Sequence, residues 1–456
     1  MKIKSFFSLG LLFVFSLVSQ AQIKKWTLEE CVKYALQNNI SIKQTELDTK
    51  SADIDKKGAI GNFIPSLNAN AAHSWNIGLN QDITTGLLRN QTTQFTSAGA
   101  SVGVDIYKGL QNQNRLRRAN LAIVASKYQL LKMQEDISLN VANAFLQVLF
   151  SKESLKVQKQ QLAINEKQLK RSQEFVSAGT IPRGDLLEII ATVASDNQKI
   201  VSAENALLIS KLSLVQLLQL PDFENFDVID DTTAKDENNI LTQTPTAIYD
   251  KAKENRTELK IAQTNLEIAR KDLAIAKGGF QPTLQGFYNF NSRVSYADFP
   301  LFSSTGTLIG TQSAPPFWNQ FSDNKGQSFG AQLSIPIFNG FSVRNNVERS
   351  KVNLEKTKIA LQQQEVNLQT NVYTAFTDAN GALNTYESAI VALEARQTAY
   401  DYTKEKYEVG LMNSFEFNQA QTLLTNAQSE VIRTKYDYIF KIKILEFYFG
   451  IAIIKN

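Results

Sequence analysis

The stretch NVANAF, Asn140 to Phe145, returns as NVYTAF, Asn371 to Phe376, at a spacing of about 231 residues that marks an internal duplication. Gly99, Gly109 and Gly179 recur as Gly330, Gly340 and Gly410 at the same spacing. Both copies of the stretch lie in long runs almost free of helix breakers. Leu110 to Ala178 contains neither Gly nor Pro, and Phe341 to Val409 contains only Gly381, so each run predicts one helix of about 100 Å. Ile137, Val141, Ala144, Phe145 and Val148 keep helical spacing, and Leu368, Val372, Ala375, Phe376 and Ala379 reproduce it. Such a stripe is read as packing against neighbouring helices rather than as a cofactor site.

Shorter helical segments flank each long one. Thr27 to Ile60 and Asp185 to Leu220, laid end to end, match the long helix between them, and Thr246 to Gly278 with Glu416 to Phe449 do the same in the copy. Each repeat therefore predicts an antiparallel helical hairpin, about 110–220 and 341–449, with sharp turns at Gly179 to Gly184 and Gly410 to Ser414. The first repeat covers 22–220 and the second 246–450, followed by a tail, 451–456. Between them, Pro221 to Pro245 reads as a connecting segment packed around the middle of the structure, acidic at Asp222, Glu224, Asp227, Asp230 and Asp231.

Between the first short helix and the long helix of each copy, the periodicity changes from helical to alternating. Leu67, Ala69, Ala71, His73, Trp75 and Ile77 alternate with mostly polar neighbours, as do Ala98, Ala100, Val102, Val104 and Ile106. In the copy, Leu284, Gly286, Tyr288 and Phe290, then Phe329, Ala331, Leu333, Ile335 and Ile337, repeat the pattern. The strands so predicted run about 65–78, 94–107, 282–292 and 327–338, each about the length that crosses hydrocarbon when tilted. Their small, polar second face is unlike a soluble core, which wants large apolar residues inside. Four strands cannot close a barrel, and open edges are not tolerated in lipid, so several chains must share one. Two chains would give about eight strands with a filled interior, three about twelve with an open lumen.

The N-terminus indicates where the unit works. Lys2 and Lys4 precede an apolar run from Phe6 to Val18, too short to span a bilayer, and Ser19 and Ala21 offer small residues for cleavage, so 1–21 reads as a secretory signal peptide. No other apolar stretch reads as long enough for a membrane helix. Cys31 is the single Cys, so no internal disulfide forms, and His73 is the single His, which argues against a His-based metal site or a Ser-His-Asp triad. With a net charge of only +4 and no basic stripe, nucleic acid is not an expected partner. No constellation of catalytic residues marks an enzyme, and no cofactor is expected.

The turns FVSAGTIPRGD, Phe175 to Asp185, and YEVGLMNSFE, Tyr407 to Glu416, together with the signal peptide and the duplicated strand-strand-hairpin unit, resemble the TolC-like outer-membrane efflux proteins, or outer membrane factors. The resemblance covers about Trp26 to Gly450 and lies in the order and duplication of short motifs. It implies a mainly α protein with transmembrane β: a homotrimer whose twelve-stranded barrel in the Gram-negative outer membrane continues as a long α-helical barrel through the periplasm. It further implies a passive exit duct of a tripartite efflux or type I secretion system, coupled to an inner-membrane pump through a periplasmic adaptor. An adaptor protein with coiled-coil hairpins is the alternative, although it would need lipoyl-like and small barrel domains in place of the strands.

The resemblance places the two turns at the periplasmic entrance, where the family narrows the duct with acidic residues that bind cations. Asp185 and Glu416, each six residues after its Gly179 or Gly410, occupy those positions, with Glu188 as a further acid and Arg183 as a tether. The family often has an acid one turn after the later turn, where this chain has Gln419; Glu188 is its counterpart in the first copy. A carboxylate in the first turn of a helix also interacts well with the helix dipole, and both roles are compatible. Gly179, Thr180, Ile181, Gly410, Leu411 and Met412 are the expected adaptor contacts. Trp75, Tyr288 and Phe290 fit an aromatic girdle, and His73 a barrel position near the interface. Ser292 to Lys325 reads as a surface loop, longer than its counterpart, roughly Gly78 to Gln94, and an insertion of about 14 residues there accounts for the offset of about 217 between Pro65 and Pro282.

Overall fold

The structure is a computed structural model, and it describes residues 25–81, 88–221, 223, 225–230 and 239–451. The expected signal peptide, the loop tip 82–87, the acidic residues Asp222, Glu224 and Asp231, and the tail after Ile451 lie outside the described residues. In chain order the elements are β1 (Lys25–Trp26), α1 (Leu28–Asn38), α2 (Ile40–Gly61), β2 (Ser66–Gln81), β3 (Leu88–Lys108), α3 (Gln111–Ser177), α4 (Arg183–Leu218) and β4 (Asp227–Val228). A 3-10 turn (Ile240–Thr242) precedes α5 (Pro245–Asn255), α6 (Thr257–Gly278), β5 (Thr283–Ser295), β6 (Phe299–Phe302), β7 (Leu308–Gln312), α7 (Phe317–Asp323), β8 (Gly326–Ser334), α8 (Ser342–Glu408) and α9 (Ser414–Phe449).

The duplication is faithful in helix length. α1 and α5 have 11 residues, α2 and α6 have 22, α3 and α8 have 67, and α4 and α9 have 36. Elements before the inserted loop are offset by about 217 residues between copies and those after it by about 231. Each short N-terminal helix, expected to be continuous, is in fact broken by one extended residue, Asn39 (ψ 130) or Arg256 (ψ 128).

The chain divides into two compact units. One comprises the described parts of 1–44, 132–256 and 367–456. Its core is formed by Val32, Val141, Phe145, Val148 and Leu149 with Leu214, Leu218, Ile248 and Leu445, all buried. The two break residues are anchored at equivalent points in this unit. Asn39 Nδ2 donates to the Leu217 carbonyl at 2.9 Å, at the end of α4. Buried Arg256 stacks 3.8 Å from the Phe447 ring, at the end of α9, and pairs with Glu135 at 3.1 Å. The connecting segment is pinned here as well: β1 and β4 pair in parallel, Lys25 opposite Asp227 and Trp26 opposite Val228. Lys152 reaches Asp227 at 2.8 Å and Lys211 reaches it at 3.1 Å. Burial is the largest single influence on Asp227 and raises its pKa, but the two ammonium groups together hold it below the usual carboxylate value.

The other unit, 45–131 and 257–366, carries the strands. They form one antiparallel sheet in the order β2-β3-β5-β8, so β2 and β8 are open edges among the described residues. Ser66 to Gln81 pairs continuously with Gly103 to Leu88, which makes this hairpin longer than the alternation alone predicted. β8 is shorter than predicted: it ends at Ser334, so Ile335 and Ile337 lie beyond it. Pro336 has no N–H to offer a ladder, and its counterpart Asp105 sits where β3 shifts register against β5. The predicted surface loop is partly structured. β5 runs on to Ser295, β6 and β7 pair as a hairpin, and α7 packs back through Gln320, whose Oε1 accepts from the Ser295 N–H at 3.0 Å. One further correction concerns α4, which is long and apolar enough to cross a membrane. Its apolar residues are spread among Ser, Thr and Asn, so no unbroken run marked it.

Candidate functional site

Both hairpin turns are built the same way. At the end of α3, Gly179 adopts φ +73, its N–H donates to the Val176 carbonyl, and the Thr180 N–H reaches the Phe175 carbonyl at 2.9 Å. At the end of α8, Gly410 adopts φ +78, with Leu411 N–H on the Lys406 carbonyl at 2.9 Å. This paired closure satisfies the last carbonyls of each helix and needs a residue free to be left-handed, hence Gly in both copies. Thr180, Gly410 and Leu411 are exposed, Ile181 and Met412 half-buried.

The returning helices start differently. Asn413 caps α9 by accepting the Glu416 N–H at 2.9 Å, whereas Pro182 precedes α4 and offers no side-chain cap. Asp185 and Glu416 each lie in the first turn of their helix, where a carboxylate is favoured by the dipole. Arg183, Glu188 and Glu416 are exposed and Asp185 half-exposed. Among the described residues none of the four makes a side-chain ion pair. No group of His, Cys, Asp and Glu suited to hold a metal occurs among the described residues.

Sequence reasoning missed a buried polar ladder behind these turns. Gln421 Nε2 donates to Asn165 Oδ1 at 2.8 Å, Asn165 in turn donates to Asp196, and Lys199 pairs with Asp196 at 3.1 Å. Thr425 bonds Gln161 at 2.7 Å and Gln168 bonds the Tyr407 hydroxyl at 2.6 Å. Tyr407 stacks on Phe417 with centroids 4.6 Å apart. The ladder ties α3 and α4 of one repeat to α9 of the other. The signal was present as polar residues at coiled-coil spacing, Gln161, Asn165 and Gln168, on one long helix.

In the sheet, the predicted apolar alternation lies open: Leu67, Trp75, Ile77, Phe329 and Leu333 are exposed. His73 bonds Thr96 at 2.8 Å and packs edge-on to Trp75 and Tyr296, so Tyr296, which the sequence reading did not single out, joins this aromatic cluster. Phe287, absent from the predicted alternation, lies on the otherwise polar face. Its ring fills the space over Gly330, where a Cβ would lie 3.1 Å from the ring. On that same face Asp105 accepts from Gln285 at 2.7 Å and pairs with Lys108 at 2.7 Å.

A sheet with one apolar face and two unpaired edges, joined to duplicated hairpins closed by acid-bearing turns, has the build of an outer-membrane channel subunit. The chain belongs to the outer membrane efflux protein family, whose model matches residues 31–219 and 248–444. It is 22% identical over 437 residues to the outer membrane protein TolC of Escherichia coli strain K12, covering 93% of this chain and 81% of that protein. It is 23% identical over 327 residues to the cation efflux system protein CusC of E. coli O157:H7, covering 70% and 63%. Among solved structures it is similar to the outer membrane protein VceC of Vibrio cholerae, with TM-score 0.75 and 14% identity, covering 93% of this chain and 96% of that one. The Campylobacter jejuni CmeC outer membrane channel gives TM-score 0.73 at 17% identity, covering 93% and 85%. The protein is an outer-membrane efflux channel component, and nothing in these matches favours the adaptor alternative.

Proposed function

We propose that three copies of this chain form a passive exit duct, a twelve-stranded barrel in the outer membrane continued by a helical barrel in the periplasm. The observation that carries this reading is the four-stranded sheet whose outer strands, β2 and β8, have no further neighbouring strand among the described residues, with an exposed apolar face. Backbone groups at such edges have no partner in hydrocarbon, so the sheet is stable there only when copies complete one another into a closed cylinder. Three copies give a lumen wide enough to stay wet. The duct consumes no energy itself; an inner-membrane pump supplies it, joined through a periplasmic adaptor that grips the turns at Gly179 to Ile181 and Gly410 to Met412. Asp185, Glu188 and Glu416 form an acidic ring at the entrance, which attracts cations and narrows the path, while Arg183 pairs across protomers.

Size measurement in detergent tests the assembly. The expected result is a particle of three chains whose migration on denaturing gels changes on boiling. A detergent-free, soluble monomer would sink the reading.

A further inference from the structure

Pairing between β5 and β8 ends with Asn291 opposite Gly326, yet β5 runs on to Ser295. Along that extension the short helix α7 stands where β8 would have continued. Buried Gln320 accepts from the Ser295 N–H at 3.0 Å and donates to the Ser295 carbonyl at 3.0 Å and the Pro315 carbonyl at 2.7 Å. Asn324 donates to the Arg293 carbonyl at 2.7 Å, and Ser292 Oγ donates to the Phe321 carbonyl at 2.8 Å. Side chains of α7 thus satisfy backbone groups of β5 beyond the end of its strand pairing.

The helix covers one face of the sheet. Ser292 and Val294 continue the alternation of Tyr288 and Phe290 and are 2% and 1% exposed, whereas Asn291 and Arg293, on the other face, are exposed. Phe321 lies against Phe290 with ring centroids 6.2 Å apart and stacks on Phe317 at 6.0 Å. Tyr288 stands opposite Val102 and Phe329, and Val102 opposite Leu67, so this is the face that carries the exposed apolar residues of the sheet. Trp318 packs edge-on to Phe317 and Phe321 at 5.1 and 6.0 Å and is still 74% exposed.

Strand register fixes the height of α7. Val294 stands opposite Thr96, and Thr96 opposite His73. The row beneath α7 is therefore the row of His73, where Trp75 and Tyr296 gather and the Tyr296 hydroxyl bonds Thr96 at 2.9 Å. Two aromatic clusters share one face and one level, at the end of the sheet away from the long helices. Just past them Asp323, Asn324 and Lys325 are exposed. Rings with a polar handle, aligned at one level between apolar and polar surface, suit the boundary between hydrocarbon and water.

We propose that α7 is an interfacial anchor, seated at the outer-leaflet boundary on the lipid side of the barrel, with the Trp318 ring among acyl chains just below the headgroups and Asp323 and Lys325 in water. The proposal rests on the barrel reading above, which makes the apolar face the lipid-facing one, and continuity with that face names lipid as the occupant. The bonds from Gln320 and Asn324 belong to the same design. Hydrocarbon offers no water to a strand edge, so the part of β5 left by β8 is satisfied from within the chain.

The test uses the full chain reconstituted in phosphatidylcholine vesicles whose acyl chains carry bromine either near the headgroup or near the chain end. Trp26→Phe with Trp75→Phe leaves Trp318 as the one fluorophore of its kind, and Trp26→Phe with Trp318→Phe leaves Trp75 as a reference for the barrel. The expected result is that Trp318 loses more emission to the shallow bromines than to the deep ones and little to aqueous iodide. Lipid quenching of Trp75 but not of Trp318 overturns the anchor while leaving the barrel standing, whether Trp318 is then open to iodide or shielded by another protein surface. Absence of lipid quenching at both positions removes the barrel reading instead. Gln320→Ala should shift Trp318 from lipid quenching toward iodide quenching, with the Trp75 reporter carrying the same change unaltered. A Trp318 signal indifferent to that change overturns the role given to Gln320 in seating the helix.

Discussion

At the scale of single residues, the two hairpin turns show how one backbone solution serves different side chains. Gly179 and Gly410 close their helices identically, but Asn413 caps the returning helix where Pro182 cannot. Asp185 and Glu416 therefore stand at similar addresses with different local support. Among the described residues their side chains form no ion pair, and both are at least partly exposed, so in the proposed function their charge faces cations entering the duct. Replacing both with Ala should weaken block by multivalent cations in single-channel recordings, with conductance in monovalent salt changed much less. Unchanged block in the double variant would remove the selectivity role and leave only the interaction of each acid with its helix dipole.

At the scale of elements, the helix breaks and the connecting segment decide how the hairpins are held. Arg256 interrupts its helix, and its guanidinium lies between Glu135 and the Phe447 ring, where the charge is out of water. Arg256→Ala leaves Glu135 without that partner and should cost about 3 kcal/mol, read as a lower thermal midpoint by circular dichroism. Asn39→Ala, which breaks a neutral hydrogen bond at the equivalent point, should cost less, about 1 kcal/mol. The connecting segment depends on Asp227, whose folded pKa lies below the ordinary value of 3.8 because Lys152 and Lys211 outweigh the effect of burial. A group of this kind contributes stability above the unfolded pKa and loses it as pH falls through the folded one. Thermal midpoints compared between about pH 6 and pH 3 should therefore drop further for wild type than for Asp227→Asn. Equal drops would mean that the two lysines do not depend on ionised Asp227.

At the scale of the whole molecule, the four-stranded sheet ends at β2 and β8, which have no further neighbouring strand among the described residues, and the proposed function has copies of the chain complete it. The turns at Gly179 to Ile181 and Gly410 to Met412 are two similar but unequal closures within one chain, and the proposed function makes both of them contacts for an adaptor. Ile181→Cys or Met412→Cys, placed in the Cys31→Ala background, should capture a periplasmic adaptor on crosslinking in cells, whereas a cysteine placed near β6 or β7 should not. Capture from β6 or β7 as efficient as from the turns would argue against the turns as the docking surface.

Much of this architecture was legible from residues alone. The absence of Gly and Pro over about 67 residues, the alternation in the strands and the recurrence of NVANAF as NVYTAF depend only on local propensity and copying, which a single chain displays without its neighbours. The paired turns were legible too, because a left-handed residue in that place calls for Gly. What escaped the sequence depends on partners distant along the chain. The breaks at Asn39 and Arg256 follow from anchors at Leu217 and Phe447, and the polar ladder through Asn165 from Asp196 and Gln421. The register of each strand likewise comes from the edge beside it. Local energetics set which elements form and the length of the long helices; long-range contacts, whose identity no local pattern encodes, decided where the strands stop, where the short helices break and what they hold.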